Sequence, residues 1–288
     1  MIVFTIISPR HTFLSASNLT NLIPQYSYML VLTIGQLMDG VLEQIDLSVG
    51  SIVAFTGSVG VVSVLIWHWP WWLRVLAVLI TGVAVGAWQG FWVAFVGIPG
   101  FIVSLSGMLI FRGLAQILLN YQSIDRLPKG YCNISNGFLS GLSGGPEFDV
   151  FTIVIFAITV VGFTVSQVQE RMGQTRYMQR VTRLPLFIAQ LVVIGAVAMA
   201  FAWRISHWRG LPVVLIILAA IVMVYGLIMR RTGFGRHIYA IGGKLNAAQL
   251  SGAKVKRVTF GCFVNMGLLA GVGGVLSSSL SNDIQPFA

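Results

Sequence analysis

The sequence predicts an all-α bundle of about eight helices that cross a membrane. Hydrophobic residues make up 56% of the 288 residues and charged residues only 9%, whereas soluble domains carry about 25% charged residues. Several apolar stretches reach the roughly 20 residues that a helix needs to cross a bilayer. These stretches lack an alternation of period two, which argues against a β-barrel. So few charges could not cover the surface of a soluble protein of this length.

Eight apolar spans follow one another along the chain. They cover residues 21–42, 49–66, 75–96, 101–119, 150–168, 186–203, 213–229 and 259–280. Glycines recur every fourth residue in the third span (Gly82, Gly86, Gly90) and in the last (Gly267, Gly271). Small residues at this spacing let two helix backbones approach closely in lipid, so they predict tight packing and not a function.

Positive charges collect in the links between the spans. Counting alternate links gives 11 Lys and Arg on one side and 6 on the other, with Arg112 inside the fourth span. Cytoplasmic links carry the excess of Lys and Arg, so the side with 11 is predicted to be cytoplasmic. The net charge of +10 is therefore explained by orientation in the membrane, and no nucleic-acid partner is predicted.

Polar residues inside or beside the spans suggest an intramembrane polar site. Asp39, Glu43 and Asp46 fall at spacings of four and three, hence on one helical face. A charge at the bilayer centre costs about 2.5–3.5 kcal/mol on insertion scales, so such residues are often functional. The predicted site consists of Glu43, Asp46, Gln89, Arg112 and Asn265. The alternative is purely structural: Arg112 pairs with Asp46 or Glu43, and Asp46 caps the next helix.

The chain shows no signal for catalysis, metal or cofactor. It contains no Gly-x-x-x-x-Gly-Lys-Ser/Thr phosphate loop, so it is not expected to hold ATP in such a loop. Cys132 and Cys262 do not form a metal-ligand spacing. No cofactor and no enzymatic activity are predicted.

Three stretches carry a family resemblance: EQIDLSVGS at 43–51, IPGFIVSLSGMLIFRG at 98–113 and RTGFGRHIYAIGGKLNAAQLSGA at 231–253. Together they closely resemble the permease subunits of bacterial monosaccharide ABC importers. The segment WQGFWVA at 88–94 is most similar to the xylose type. The resemblance implies an inner-membrane permease, residues 1–288, that works with a separate ABC ATPase subunit, a periplasmic sugar-binding protein and a second copy of itself. Asp39 departs from the family pattern, and both ends suggest a truncated chain.

The resemblance also implies a cytoplasmic coupling segment, residues 230–258, that docks on the ATPase. Its contact residues would be the small Ala247, Ala248 and Gly252, with Arg236, Lys244 and Lys254 as charges at the rim. A basic link that only sets topology is the alternative for this segment. For the whole chain, the alternatives are an inactive truncated remnant and an ion-coupled secondary transporter.

Overall fold

The computed structural model describes residues 16–65, 69–122, 124–125, 129–139, 149–176, 184–206, 210–281 and 283–284. Its elements are α1 (Ala16–Val41), α2 (Val49–Leu65), α3 (Trp71–Phe91) with a π-helical turn (Trp92–Val96), α4 (Gly100–Leu118), β1 (Ile124–Asp125), α5 (Lys129–Asn136), β2 (Phe138–Leu139), α6 (Val150–Arg176), α7 (Leu184–Ser206), β3 (Leu211–Pro212), α8 (Val213–Arg231), α9 (Gly233–Gly243), α10 (Leu245–Leu250), α11 (Val255–Ser281) and β4 (Asp283–Ile284).

Six of these helices are long and apolar enough to cross a membrane: α3 with its π-helical turn, α4, α6, α7, α8 and α11. Each coincides with a predicted span, so the prediction of a polytopic helix bundle is confirmed. α2 is apolar but shorter, and α1 is 26 residues long with Pro24 inside it. The count of eight spans is therefore approximate.

Contacts divide the chain into two compact units. The first comprises residues 1–22 and 138–212, and the second comprises residues 23–137 and 213–288. In the first unit, α6 packs on α7, with the rings of Phe156 and Phe201 at 6.3 Å. Asp149 precedes α6: its Oδ2 accepts a hydrogen bond from Thr152, and its backbone carbonyl accepts one from Ser206. The prediction of one permease domain over residues 1–288 stays a prediction.

In the second unit, α11 is the central helix. It packs on α2, α3 and α5, and 67% of its most apolar window is buried, against 33% for α3. The two glycine repeats meet where α3 and α11 cross. A Cβ at Gly267 would lie 2.8 Å from both Cα and N of Gly86, and one at Gly86 would lie 3.0 Å from Cα of Gly267. The predicted close packing is confirmed, because only glycine fits on both sides of this crossing.

Hydroxyl groups join the short helix α5 to the C-terminal end of α11. Tyr131 and Ser278 share a hydrogen bond of 2.5 Å, and Ser135 and Ser279 share one of 2.6 Å. Asn136 Nδ2 donates to the backbone carbonyl of Ser279 at 3.0 Å. These buried pairs fix α5 against the end of α11 that is predicted to face outward.

Candidate functional site

The link between α1 and α2 is held by a carboxylate. Asp46 is 5% exposed, and its Oδ1 accepts hydrogen bonds from the backbone N–H of Ser48 at 2.8 Å and from its hydroxyl at 2.6 Å. A side-chain oxygen that bonds the backbone two residues on makes an Asx-turn. Burial raises the pKa of the Asp46 carboxyl, while the hydrogen bonds from Ser48 act to lower it.

Helices α1 and α3 bond to this link with amide side chains. Gln36 Nε2 donates to the backbone carbonyl of Asp46 at 2.7 Å, and Gln89 Nε2 donates to Ser48 Oγ at 2.8 Å. Gln89 is 1% exposed, and a Cβ at Gly107 of α4 would overlap its amide nitrogen. We call Gln36, Asp46, Ser48 and Gln89 the polar network. The polar network connects α1 and α3 through the link between α1 and α2. The absence of a side chain at Gly107 of α4 leaves the space that the Gln89 amide occupies.

Asp39 adds a second buried carboxylate, on the last turn of α1. It is 0% exposed, and neither of its oxygens has a hydrogen-bond partner; Oδ2 of Asp46 has none either. A buried acceptor left without a donor costs about 1–3 kcal/mol. The three oxygens can therefore accept hydrogen bonds from hydroxyl groups, which is the chemistry that a polyol offers.

The structure places the other predicted site residues apart from the polar network. Glu43 is exposed on the link with φ 58°, and Arg112 is exposed on α4. Asn265 of α11 accepts a hydrogen bond from Tyr225 Oη of α8 and donates to Met38 Sδ of α1. Of the five predicted residues, the polar network contains Asp46 and Gln89. The pairing of Arg112 with an acidic residue stays a prediction.

The coupling segment forms two short helices and a tight turn. Thr232 caps α9, its Oγ1 accepting a hydrogen bond from the N–H of Gly235 at 3.2 Å. After α10, Gly252 has φ 86°, while its N–H bonds the carbonyl of Gln249 and the next N–H bonds that of Ala248. This pair of bonds is a Schellman motif, in which a residue with positive φ is usually glycine. The positive φ of this turn thus explains why residue 252 is a glycine.

Only some of the predicted coupling residues are available to a partner. Ala248 is 3% exposed and packs inside the chain's own core with Met38, Leu42 and Met229, among others. Packing within the chain therefore explains its small size, and its predicted place in a partner contact stays a prediction. The residues Arg236, Lys244, Ala247 and Lys254 are exposed.

Sequence reasoning missed Leu250, which is 91% exposed at the end of α10. No sequence signal singled it out, because a helix of six residues is too short for a hydrophobic period to show which face is exposed. An almost fully exposed leucine beside exposed charges is the kind of side chain that a protein partner covers.

Arg74 was also missed, because the third span was predicted to start one residue after it. The side chain is 0% exposed, its three guanidinium nitrogens have no hydrogen-bond partner, and the guanidinium carbon lies 4.4 Å above the centre of the Tyr131 ring. Such a cation–π contact contributes about 2 kcal/mol when desolvated. Burial raises the pKa of Tyr131 to about 12, so its hydroxyl stays neutral.

Comparisons with known proteins identify sugar permeases as relatives of this chain. The xylose transport system permease protein of Haemophilus influenzae is 29% identical over 97% of this chain and 72% of its own length. That of Escherichia coli is 30% identical over 93% of this chain and 66% of its own length, and the D-allose transport system permease protein of Escherichia coli is 25% identical over 99% of this chain. The chain thus spans about two thirds of the length of the relatives it matches. No solved structure gives a significant match.

The family match covers residues 18–288, and the family is described as the permease component of branched-chain amino acid transport systems. Residues 18–288 include every helix of the fold except the first two residues of α1. The apolar helices and this match together make the chain a multi-pass inner-membrane protein. The chain belongs to this permease family, and within it resembles the sugar permeases.

Proposed function

We propose that the chain is the membrane-spanning permease subunit of an ATP-driven importer that moves a monosaccharide, with xylose favoured, across the inner membrane. The observation that carries the proposal is the similarity to xylose transport permeases over more than nine tenths of this chain. The permease would catalyse no covalent reaction itself. ATP hydrolysis would take place on a separate ATPase subunit, a periplasmic binding protein would deliver the sugar, and two copies of the permease would form the pathway.

The coupling segment supports the expectation that a separate ATPase subunit docks on the permease. α9 and α10 present Arg236, Lys244 and Leu250 outward on the side predicted to be cytoplasmic, while Ala248 holds them to the core. A surface with exposed apolar side chains, Leu250 and Leu245, and a rim of charges suits docking of a protein subunit. We propose Leu250 as the central contact, with Ala247 beside it and the charges tuning the association rate.

The polar network supports the sugar as cargo. Oδ2 of Asp46 in the network and both carboxylate oxygens of the nearby Asp39 have no donor, and they are acceptors available to sugar hydroxyls. The amide of Gln89 and the hydroxyl of Ser48 are further groups that can hydrogen-bond a sugar. We propose that these groups line part of the pathway between α1, α3 and α4.

Transport by the assembled system tests the proposal. The permease, its ATPase and the binding protein are reconstituted in liposomes, and ATP hydrolysis is measured with xylose, ribose or leucine. We expect xylose with its binding protein to stimulate hydrolysis. Stimulation by leucine alone would contradict the sugar assignment, and xylose uptake that follows an ion gradient without ATP would contradict the importer class.

Pull-down of the ATPase subunit tests the docking surface. Burying one leucine side chain contributes about 1.5–3 kcal/mol, so Leu250→Ala should reduce recovery of the ATPase about tenfold or more. Leu245→Ala, on the same helix and half as exposed, serves as the matched control and should have less effect. Lys254→Ala should weaken recovery only modestly. If the charge substitution abolishes recovery while Leu250→Ala leaves it intact, the segment is an electrostatic tether.

A further inference from the structure

A groove of about 380 Å³ lies where the coupling segment joins α11. Its walls include Gln249, Ala253 and Val255 from the coupling segment and the start of α11, and Phe95 from the π-helical turn that ends α3. The groove is distinct from the polar network, and no residue of that network lines it.

The charge of the groove is entirely positive among the described residues that line it. Lys254, Lys256 and Arg257 all contribute, all three are exposed, and no Asp or Glu is among the lining residues. The first turn of α11 carries no acidic residue. Three cations so close together repel one another, and the partial positive charge at the start of a helix adds to that repulsion. An anion in the groove would remove this cost.

The aromatic residues around the groove place it at the membrane boundary. Phe95 lies 5.5 Å from the ring of Phe260, and Phe91, Trp92 and Phe95 are exposed at the same end of α3. Tryptophan rings at the end of a membrane helix lie at the level of the lipid headgroups, so Trp92 is expected at that level. This end of α3 is the predicted cytoplasmic one. The anion closest at hand there is a phospholipid headgroup, since the cytoplasmic leaflet carries anionic lipids.

We propose that this groove binds the phosphate of an anionic phospholipid from the cytoplasmic leaflet. Lys254, Lys256 and Arg257 hold the phosphate oxygens, and the acyl chains follow the apolar surface of Phe95 and Phe260 into the bilayer. The proposal does not depend on the transport activity, because lipid binding is measured on the permease alone.

Native mass spectrometry of the purified, delipidated permease tests the proposal. Phosphatidylglycerol or phosphatidylcholine is added back, and the fraction of protein that carries lipid is measured. The groove variant is Lys254→Gln/Lys256→Gln/Arg257→Gln. The matched control is Arg231→Gln/Arg236→Gln/Lys244→Gln. It also removes three positive charges, but from exposed positions outside the groove. We expect the groove variant to lose phosphatidylglycerol about tenfold or more and the control less than about twofold.

Several outcomes overturn the proposal. Equal loss in the groove variant and the control would mean general electrostatic attraction. Displacement of the lipid by inorganic phosphate at about 10 mM would identify a free anion as the ligand. Unchanged lipid binding with lost ATPase recovery would show that the charges serve the protein partner. The single substitution Lys256→Glu, which reverses one exposed charge, repeats the test with less effect on folding and must also lower phosphatidylglycerol binding.

Discussion

Replacement of Gly267 by alanine tests the crossing of α3 and α11. The added Cβ would overlap the carbonyl oxygen of Gly82 and lie 2.8 Å from Cα and N of Gly86, where ordinary contacts begin near 3.4 Å. All of these neighbours are backbone atoms, so no rotamer change can relieve the overlap and the helices must separate. Overpacking of this kind costs about 1–3 kcal/mol. A mid-helix Gly→Ala change otherwise stabilises by about 0.5–1 kcal/mol.

Gly226 on α8 provides the matched control, because nothing lies within 4 Å of a Cβ placed there. Thermal unfolding in detergent is followed with a thiol-reactive dye in a Cys132→Ser background, since Cys262 is 1% exposed and reacts only when the bundle opens. Gly267→Ala should lower the melting temperature by on the order of 5 °C, and Gly226→Ala should leave it equal or higher. If Gly267→Ala and Gly226→Ala have the same melting temperature, the close crossing of α3 and α11 is refuted.

Substitutions in three further parts of the structure give additional tests. Burial raises the pKa of Asp46, so its contribution to stability is greatest at low pH and is lost as the pH rises through that raised value; Asp46→Asn should raise the melting temperature at pH 8 and flatten its pH dependence. Gly242→Ala should destabilise the chain because the new Cβ would overlap a backbone carbonyl of α1, whereas the adjacent Gly243→Ala, with open space, should not. Tyr131→Phe should cost about 0.5–1.5 kcal/mol in a denaturation series, mainly through the lost hydrogen bond to Ser278, beside a longer one to the carbonyl of Val275. Tyr131→Leu should cost more, because Arg74 then also loses its ring contact.

The sequence was sufficient to predict the long apolar helices and which of their faces pack tightly. The apolar lengths predicted the six long membrane helices, and the repeats at Gly82 and Gly267 predicted tight contacts. Their meeting with each other could not be predicted, because a spacing of four residues identifies a face of one helix and says nothing of the helix that it faces.

The candidate site was predicted less well, because burial of a side chain in a short link or helix depends on tertiary contacts. Asp46 and Gln89 were predicted together and share one network, but the hydroxyl that joins them belongs to Ser48, a residue too common in helix starts to attract notice. Ala248 and Leu250 lie two positions apart on α10 and point to opposite environments. A helix of six residues has too few turns for a hydrophobic period to tell its faces apart.

The contact between Gly242 of α9 and Val41 of α1 has a mechanical consequence. No side chain separates the two backbones: a Cβ on the glycine would lie 2.9 Å from the carbonyl carbon of Val41. Side chains absorb small displacements by changing rotamer, but a backbone resting on a backbone transmits them without slack. Asp39 lies two residues before Val41, and Asp46 lies five residues after it. We therefore expect a displacement of α9 to move the last turn of α1, which carries Asp39.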